Sequence, residues 1–502
     1  MTDIDINIGA PNHWCYKGEG ACNIVLSYVG TDITNRAEYF NSLNYINVGK
    51  VLRLRKFGVG GDDDSDLKNN SFLLNVMLPL IGSKYVYPGV LFVYLLISWF
   101  NNKLLQTVIQ LNRDFLSQLD EQIYNDRPTH RRNNRLNIEC KRGLLILDLT
   151  LLTTGGVGGT SISVEIKPKC GFVTQSKYQS SSTKPIKSHT CRYCMHQYLK
   201  LKDGSIHSIS KYCPLDLFSG AVDRQKRAIR ALLECPQNNL KIYKDGSLFY
   251  TGSLGGKSVH SLESLCTLLD TPEETSQSVE STIDRLTNYL VSILQTEHAV
   301  LDNLLTAQRY DDLDIEAIYY LYQLQLQRQL DRLIIQQNSS SSITTTTTEK
   351  EEVQKQIELL DNQLKQLQLQ PNYKDLERFS DLNAMTDQEI EHCIDRYLIA
   401  TTAKDCSIMI TFSPKSSSPS SSTTTSSIKH DYRVGVVDLD AKKKSSIPSY
   451  FKNDKLIIDT YKNNNENQQQ SGGVHVIAPR TIYLFEFNKL LINLLCIRFS
   501  NI

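Results

Sequence analysis

Ser163-Val164-Glu165-Ile166-Lys167-Pro168-Lys169-Cys170-Gly171-Phe172 is the stretch around which the chain is best read, because a short strand here delivers a carboxylate and two ammonium groups to one place. Val164 and Ile166 alternate with Glu165 and Lys167, so a half-buried strand sends both charged side chains to the same face. Pro168 cannot donate to a ladder and is expected to end the strand, leaving Lys169 free at its mouth. An exposed edge strand with a solvated charge pair fits the same residues, and the segment alone does not separate the two readings.

Outward from this stretch, a chain of 502 residues exceeds what one core usually supports, so more than one lobe is expected. Its 40% hydrophobic and 22% charged content can build a core, and a net charge of +1 gives no global field. A polyanion must therefore be met by local clusters of Lys and Arg, which excludes a histone-like or polybasic protein. Met1-Thr2-Asp3-Ile4-Asp5 is acidic and lacks an apolar segment, and the twelve cysteines read as mostly free thiols in a reducing compartment. Tyr85 to Phe100 is uncharged, but Pro88-Gly89 leaves a run too short for the roughly 20 residues of a membrane span.

Upstream, Trp14 to Leu26 reads as a hairpin with Gly18, Gly20 and Ala21 near its tip, followed by an alternating strand, Val48 to Lys56, that carries Arg53. Small residues let backbone N–H groups approach phosphate, and a basic residue on the next strand neutralises it, as in a nucleotide lid. Ordinary hairpins use the same residues. Gly58 to Asp66 reads as a loop, and Arg127 to Arg132 as a basic turn. Leu144 to Leu149 is an apolar strand with Asp148 near its end, a plausible hinge between lobes.

Downstream, Cys191-Arg192-Tyr193-Cys194 has the spacing of half a zinc site, which Cys213 with His189 or His196 completes to four ligands; buried free thiols fit equally. Gly252-Ser253-Leu254-Gly255-Gly256-Lys257-Ser258 imitates a P-loop, but its first glycine falls one residue late, so it reads as an ordinary turn. Ile283 to Gln370 is mostly helical. The Ser/Thr, Ser and Asn/Gln tracts, spanning 338–348, 414–428 and 462–473, cannot bury a core and read as disordered insertions. Ala403 to Ile410 passes from a loop into an apolar strand, and Val434 to Asp440 is another strand ending in carboxylates beside Lys442, Lys443 and Lys444. One Asp leading into a strand and one ending a strand, with cations near, is what phosphoryl transfer needs, although Asp also favours strand-end turns for local reasons.

The ordered set formed by Tyr16 to Asn23, the Arg53 strand, Glu165 to Phe172, Met195-His196-Gln197, Cys213 to Gly220, Pro236 to Asn239, Ala403 to Ile410 and Val437-Asp438-Leu439 resembles the inositol-pentakisphosphate 2-kinase family. The resemblance implies an α+β, two-lobed fold distantly like protein kinases, with an N-terminal lobe over 1–140 and a C-terminal lobe over 141–502. It implies that ATP lies between the lobes, and that its γ-phosphate passes to the 2-hydroxyl of inositol 1,3,4,5,6-pentakisphosphate to give the hexakisphosphate, phytate. Carried over by position, Gly20, Ala21, Cys22 and Asn23 would cover the nucleotide, Arg53 would touch its phosphates, and Asp148 would lie at the adenine hinge. Glu165 and Lys167 would face ATP and the transfer site, with Lys241 near the nucleotide. Arg131, Lys169, Lys200, Asn238, Lys442 and Tyr450 would grip substrate phosphates, Asp405 would orient or deprotonate the hydroxyl, and Asp438 would hold Mg2+. The chain departs from some members at Leu147 and Leu149, at Ser446 and at Gly58. The zinc insert of plant members is absent, so a zinc ion on Cys191, Cys194, Cys213 and His189 would be a separate feature. A catalytically silent inositol-phosphate-binding scaffold would keep the lysines and lose the aspartates; both Asp405 and Asp438 are present. The protein is expected to be a soluble cytoplasmic or nuclear monomer with small-molecule ligands, needing neither nucleic acid nor membrane.

Overall fold

A computed structural model describes residues 10–20, 22–29, 50–58, 65–87, 109–140, 142–152, 160–252, 262–268, 278–339, 347–368, 376–414 and 432–470. The fold is α+β. Two five-stranded antiparallel sheets carry it, with helices packed mainly on the second. No helix among the described residues is long and apolar enough to cross a membrane. Three sequence features fall outside the described residues: the apolar run beyond residue 87, most of the Ser/Thr and Ser tracts, and Lys257 of the P-loop-like turn.

The first sheet contains β1 (Trp14–Glu19), β2 (Asn23–Tyr28), β3 (Lys50–Arg55), β4 (Ile109–Gln110) and β5 (Arg142–Leu147), in the order β1-β2-β3-β5-β4. The hairpin forms as the sequence suggests, with a register shift between Tyr16 and Gly18 that bends β1 toward its tip. Trp14, Ile24, Leu26, Leu52 and Leu54 point to one side and are buried against α1 (Arg113–Ile123). Asn112 caps that helix, its side chain accepting from Phe115 N at 2.7 Å. The apolar strand ending near Asp148 is thus the fourth in spatial order of this sheet, and Asp148 follows it directly.

The second sheet contains β6 (Ile162–Ile166), β7 (Leu240–Lys244), β8 (Ser247–Thr251), β9 (Ser407–Phe412) and β10 (Tyr432–Val437), in the order β10-β9-β6-β7-β8. The strand that anchors the sequence reading is therefore the middle strand, buried along its whole length, and neither half-buried nor at an edge. Its two neighbours come from some 75 and some 245 residues downstream, Glu165 standing opposite Lys241 on one side and Met409 on the other. Ile162, Val164, Ile166, Ile242, Ile408 and Ile410 form the heart of the largest core; burying each such side chain contributes about 1.5–3 kcal/mol.

Around this sheet lie α2 (Arg192–Lys202), α3 (Val222–Glu234), α4 (Val279–Thr296), α5 (His298–Gln308), α6 (Asp314–Ser339), α7 (Thr347–Gln368), α8 (Asp387–Asp405) and α9 (Ile447–Gln470). A capping box starts α8, with Thr386 and Glu389 satisfying each other's backbone N–H groups. Two expectations change. The segment before β9 is the end of α8 rather than a loop, so Asp405 is a helix C-terminal residue. The Asn/Gln run expected as an insertion over 462–473 continues α9 as far as Gln470, carried by an apolar stripe that buries Ile457 and Ile458 earlier in the same helix. Gly252, at the head of the P-loop-like turn, meets the Gln237 backbone: a Cβ there would lie 2.3 Å from Gln237 O, so close packing accounts for the glycine.

Candidate active site

At the C-terminal end of β6 the chain leaves the sheet through Lys167, Pro168 and Lys169, and each lysine meets an aspartate from a distant segment. Lys167 Nζ lies 3.2 Å from Asp438 Oδ2, and Lys169 Nζ 3.2 Å from Asp405 Oδ1. Lys442 Nζ donates to the other Asp405 oxygen, Oδ2, at 2.9 Å. These contacts follow from the sheet order: β9 and β6 are antiparallel neighbours, so the residue before β9 and the residues after β6 come to the same edge, and the end of β10 reaches it next. Lys169 and Asp438 both have left-handed backbone, φ 60° and 62°, which few non-glycine residues adopt. Such positions cluster where a side chain must be aimed.

Glu165 points the same way from inside the sheet. It is buried, Tyr243 OH and Ser407 Oγ each donate to it at 3.0 Å, and Lys241 Nζ is 3.2 Å away. Burial alone would raise its pKa, but Lys241, Lys167 and these donors outweigh it and hold the group below the usual carboxylate range. For Lys167 burial works against the charge, yet Asp438 and Glu165 raise its pKa. Asp405 follows the same pattern: burial pushes it up, but Lys169 and Lys442 bring it down to about 2. Neighbouring opposite charges thus favour the ionised forms of Glu165, Lys167 and Asp405, whereas burial lowers the pKa of Lys169.

Lys169, Lys200, Asp405, Lys442 and Tyr450 line one cavity of about 320 Å³. Arg192, His196 and Lys404 line it as well. Burial lowers the pKa of Lys200, and Lys169 adds repulsion. Burial, then Arg192, Lys200 and Lys169, lower that of His196 to about 4. The charged forms of Lys169, His196 and Lys200 are thus repelled by neighbouring cations, a state that a multiply charged anion relieves, while Arg192, Lys404 and Lys442 are offset by Asp454, Asp311 and Asp405 in the same lining. Behind it, Lys187 is buried between Asp314 Oδ1 at 2.5 Å and Asp454 Oδ2 at 2.9 Å, and Arg192 Nε donates to Asp454 Oδ1 at 3.0 Å, which fixes the wall.

Two expected substrate contacts stand elsewhere. Arg131 lines no part of this cavity and donates through Nη1 to the carbonyls of Glu19 and Gly20, each at 2.8 Å, so it braces the β1–β2 turn. Asn238 lies in the turn before β7, where its buried Oδ1 has no hydrogen-bond partner among the described residues. On the first sheet, Gly20 and Cys22 are exposed at the hairpin tip, and Ala21 lies outside the described residues. Asn23 and Arg53 share a small recess with Asp438 and Asp440 from the end of β10; Arg53 pairs with Asp440, and Thr402 Oγ1 donates to Asp440 O at 3.0 Å. Asp148 is buried with both oxygens engaged, Oδ2 by Lys17 Nζ at 2.7 Å and Oδ1 by Thr150 N at 2.9 Å and Thr150 Oγ1 at 2.6 Å. Lys17 Nζ also donates to Gly246 O in the β7–β8 turn at 2.9 Å, tying the two sheets together.

Cys191, Cys194 and Cys213 gather with their sulfurs all within 4.8 Å of one another. Neither His189 nor His196 joins them: His189 Nδ1 sits 2.8 Å from Ser188 Oγ, and His196 faces the cavity. The expected fourth ligand is therefore not in place. The sequence reading also missed Arg192, Lys404 and Lys17. Arg192, His196 and Lys200 recur at four-residue intervals, one face of a helix, a pattern that could have singled out α2.

A family model described as inositol-pentakisphosphate 2-kinase matches residues 16–456. The inositol-pentakisphosphate 2-kinase of Arabidopsis thaliana is 31% identical, with 89% of this chain and 93% of that protein covered. The rice protein (Oryza sativa subsp. japonica) is 29% identical over 92% of this chain and 96% of its own length. The zebrafish protein (Danio rerio) is 29% identical over 90% of this chain and 93% of its own.

Proposed function

Because the chain belongs to the inositol-pentakisphosphate 2-kinase family and is a kinase, we propose that it transfers the γ-phosphate of ATP to the 2-hydroxyl of inositol 1,3,4,5,6-pentakisphosphate, giving inositol hexakisphosphate. The observation that carries this reading is the cavity lined by Lys169, Lys200 and Lys442, in which Lys169 and Lys442 both hold the Asp405 carboxylate. A substrate with five phosphates needs cations from several segments. Of the aspartates lining the cavity, Asp311, Asp314 and Asp454 are engaged by Lys404, Lys187 and Arg192, which leaves Asp405, held by the lysines that would pass to phosphates, to meet a hydroxyl.

The reaction forms a bond between the 2-hydroxyl oxygen and the γ-phosphorus and breaks the bond to the bridging oxygen of ADP. Asp405 accepts the hydrogen bond of the hydroxyl and so points a lone pair at phosphorus. With a pKa near 2 it is a weak base, and orientation is its main contribution until the hydroxyl proton is released late in transfer. Lys169 and Lys442, which hold Asp405 in the free protein, pass to substrate phosphates. Lys167, kept charged by Asp438 and Glu165, stands between the carboxylates and meets the charge on the transferred group. ATP lies in the cleft between the sheets, under the β1–β2 turn, with Arg53 leaving Asp440 for a nucleotide phosphate; this makes the two sheets the centres of two kinase-like lobes. Asp438, 60% exposed at the side chain and bonded among the described residues at Oδ2 to Lys167, fits a hard cation that would complete its shell with phosphates and water. Mg2+ bound there would offset charge on the phosphates. The three clustered thiols would hold a separate zinc ion whose fourth ligand comes from outside the group.

Incubation with γ-labelled ATP and inositol pentakisphosphate tests the reading, with labelled hexakisphosphate as the expected product. Tight inositol-phosphate binding without labelled product would make the protein a scaffold instead.

A further inference from the structure

Gln308, the last residue of α5, is fully buried and lies outside both recesses described above. Its side-chain amide nevertheless joins the two segments that build the reacting corner. Gly171 N donates to Gln308 Oε1 at 2.8 Å, and Gln308 Nε2 donates to Lys169 O at 2.9 Å and to Ala403 O at 3.1 Å. One segment carries Lys169. The other is the last turn of α8, two residues before Asp405.

The Lys169 backbone has to be held. Its φ of 60° is a conformation that side-chain-bearing residues rarely adopt, and it turns the chain back between Pro168 and Gly171. Gly171 leaves no freedom on the other side, since a Cβ there would lie 2.3 Å from the Phe218 ring. By bonding the carbonyl of residue 169 and the N–H of residue 171, the Gln308 amide closes this turn as a strand partner would. With its second donor it fixes the turn against α8. The distance of 3.2 Å between Lys169 Nζ and Asp405 Oδ1 is the outcome. Only an amide offers one acceptor and two donors at this length; a carboxylate has no donor and a thioether has neither in useful strength.

We infer that Gln308 is a positioning residue for phosphoryl transfer, setting Lys169 and Asp405 relative to each other through main-chain bonds to both segments. The inference rests on the proposed roles of Lys169 and Asp405. It differs from ordinary satisfaction of a buried amide because the groups it bonds belong to two segments whose side chains must meet one substrate.

The test uses the full chain, steady-state kinetics in both substrates, and calorimetric binding of inositol hexakisphosphate. Gln308→Met keeps the length and removes all three bonds. Turnover should fall roughly 100-fold, the usual result of misplacing a reacting group by about 1 Å, with the KM for ATP held within about twofold. Binding of hexakisphosphate should weaken by roughly tenfold as Lys169 loses its aim, or about 1.4 kcal/mol. Gln308→Glu is the rescue arm. Ionised, it can accept from Gly171 but repels two carbonyls; protonated, it regains a donor. Burial without a cation raises its pKa, so its turnover relative to the parent should climb as pH falls from about 8 to about 6.

A folded Gln308→Met protein with turnover and hexakisphosphate binding within about twofold of the parent overturns the inference. So does a loss shared equally by ATP binding, turnover and thermal stability with a flat pH profile in Gln308→Glu, which would mark a purely structural amide. If Gln308→Met does not fold, the Gln308→Glu profile decides: recovery supports the inference and a flat ratio overturns it. Failure of the reaction assigned above is visible separately, as a parent protein that labels no pentakisphosphate, while the binding arm still reads the aim of Lys169.

Discussion

Asp405→Asn removes one charge and keeps the shape, and the structure assigns different sizes to its effects. The side chain is 52% exposed, so its ion pairs with Lys169 and Lys442 are screened and contribute only about 0–1 kcal/mol each. As the last residue of α8, the carboxylate also faces the negative end of the helix, and neutralising it returns about 0.3–1 kcal/mol. The folded state should therefore change by less than about 2 kcal/mol. Two lysines are freed for phosphate, and removing a unit negative charge at about 4 Å is worth about 1 kcal/mol in a water-like medium, so the KM for pentakisphosphate should stay level or drop up to about fivefold. Turnover should fall roughly 10²–10⁴-fold, since the lost interaction serves the transition state. The pH behaviour has a definite sign. The folded pKa of about 2 is below the unfolded value, so the stability this group adds is complete above about 3.9 and fades as pH falls toward 2. An acid limb of kcat/KM above about pH 4 must then belong to another group. Initial rates with labelled ATP across pentakisphosphate concentration measure all of this. Full turnover with weakened substrate binding would refute the role, and Glu165 would be the carboxylate to examine next.

Further outcomes are expected elsewhere. Lys200→Ala should raise the KM for pentakisphosphate more than it lowers turnover, because a phosphate contact present in both ground and transition states supplies uniform binding; an intact KM with lost turnover would contradict this. Lys17→Met strands the buried Asp148 carboxylate and should cost about 3–5 kcal/mol in denaturant unfolding, whereas a loss under about 1 kcal/mol would mean that the pair does not hold the sheets together. Replacing the tract at 339–348 or that at 416–427 with a short Gly/Ser linker should leave kinase activity intact, and failure to obtain folded protein would show that the tract is structural. Metal analysis of protein purified without chelators should find about one equivalent of zinc, lost in Cys213→Ser; a metal-free folded protein would leave the free-thiol reading.

Local patterns in the sequence revealed much of this architecture. Turn chemistry located the hairpin at Trp14, and short apolar runs located the strands at Leu144 and Val434, because short-range rules govern them. Glu165 misled for the opposite reason: alternation suggested a half-solvated strand, but pairing with residues 240–244 and 407–412 buried it and set its charge beside Lys241. Asp405, Lys442 and Lys200 were named through resemblance, and the fold brings them to one cavity. Lys17 could not be found this way, since its partner Asp148 is 131 residues away and nothing nearby in the chain signals the need for an ammonium. Gln308 was invisible for a similar reason: what it bonds is backbone, which no residue pattern encodes.

The antiparallel pairing of β9 with β10 sets Phe412 opposite Tyr432, so the strand ends that flank the serine-rich stretch adjoin. Closing such a stretch costs about 0.6 kcal/mol more for each doubling of its length. Between ends held in this way, a gain of several serines is thermodynamically almost silent, and repetitive tracts change length readily when DNA is copied. Natural variants differing in tract length should accumulate here with little penalty. At the β1–β2 tip the same copying error meets a different fate, since a single added residue would displace the carbonyls that Arg131 grips. Selection is therefore expected to hold the length of the hairpin tip fixed and to leave that of the serine tract free to drift.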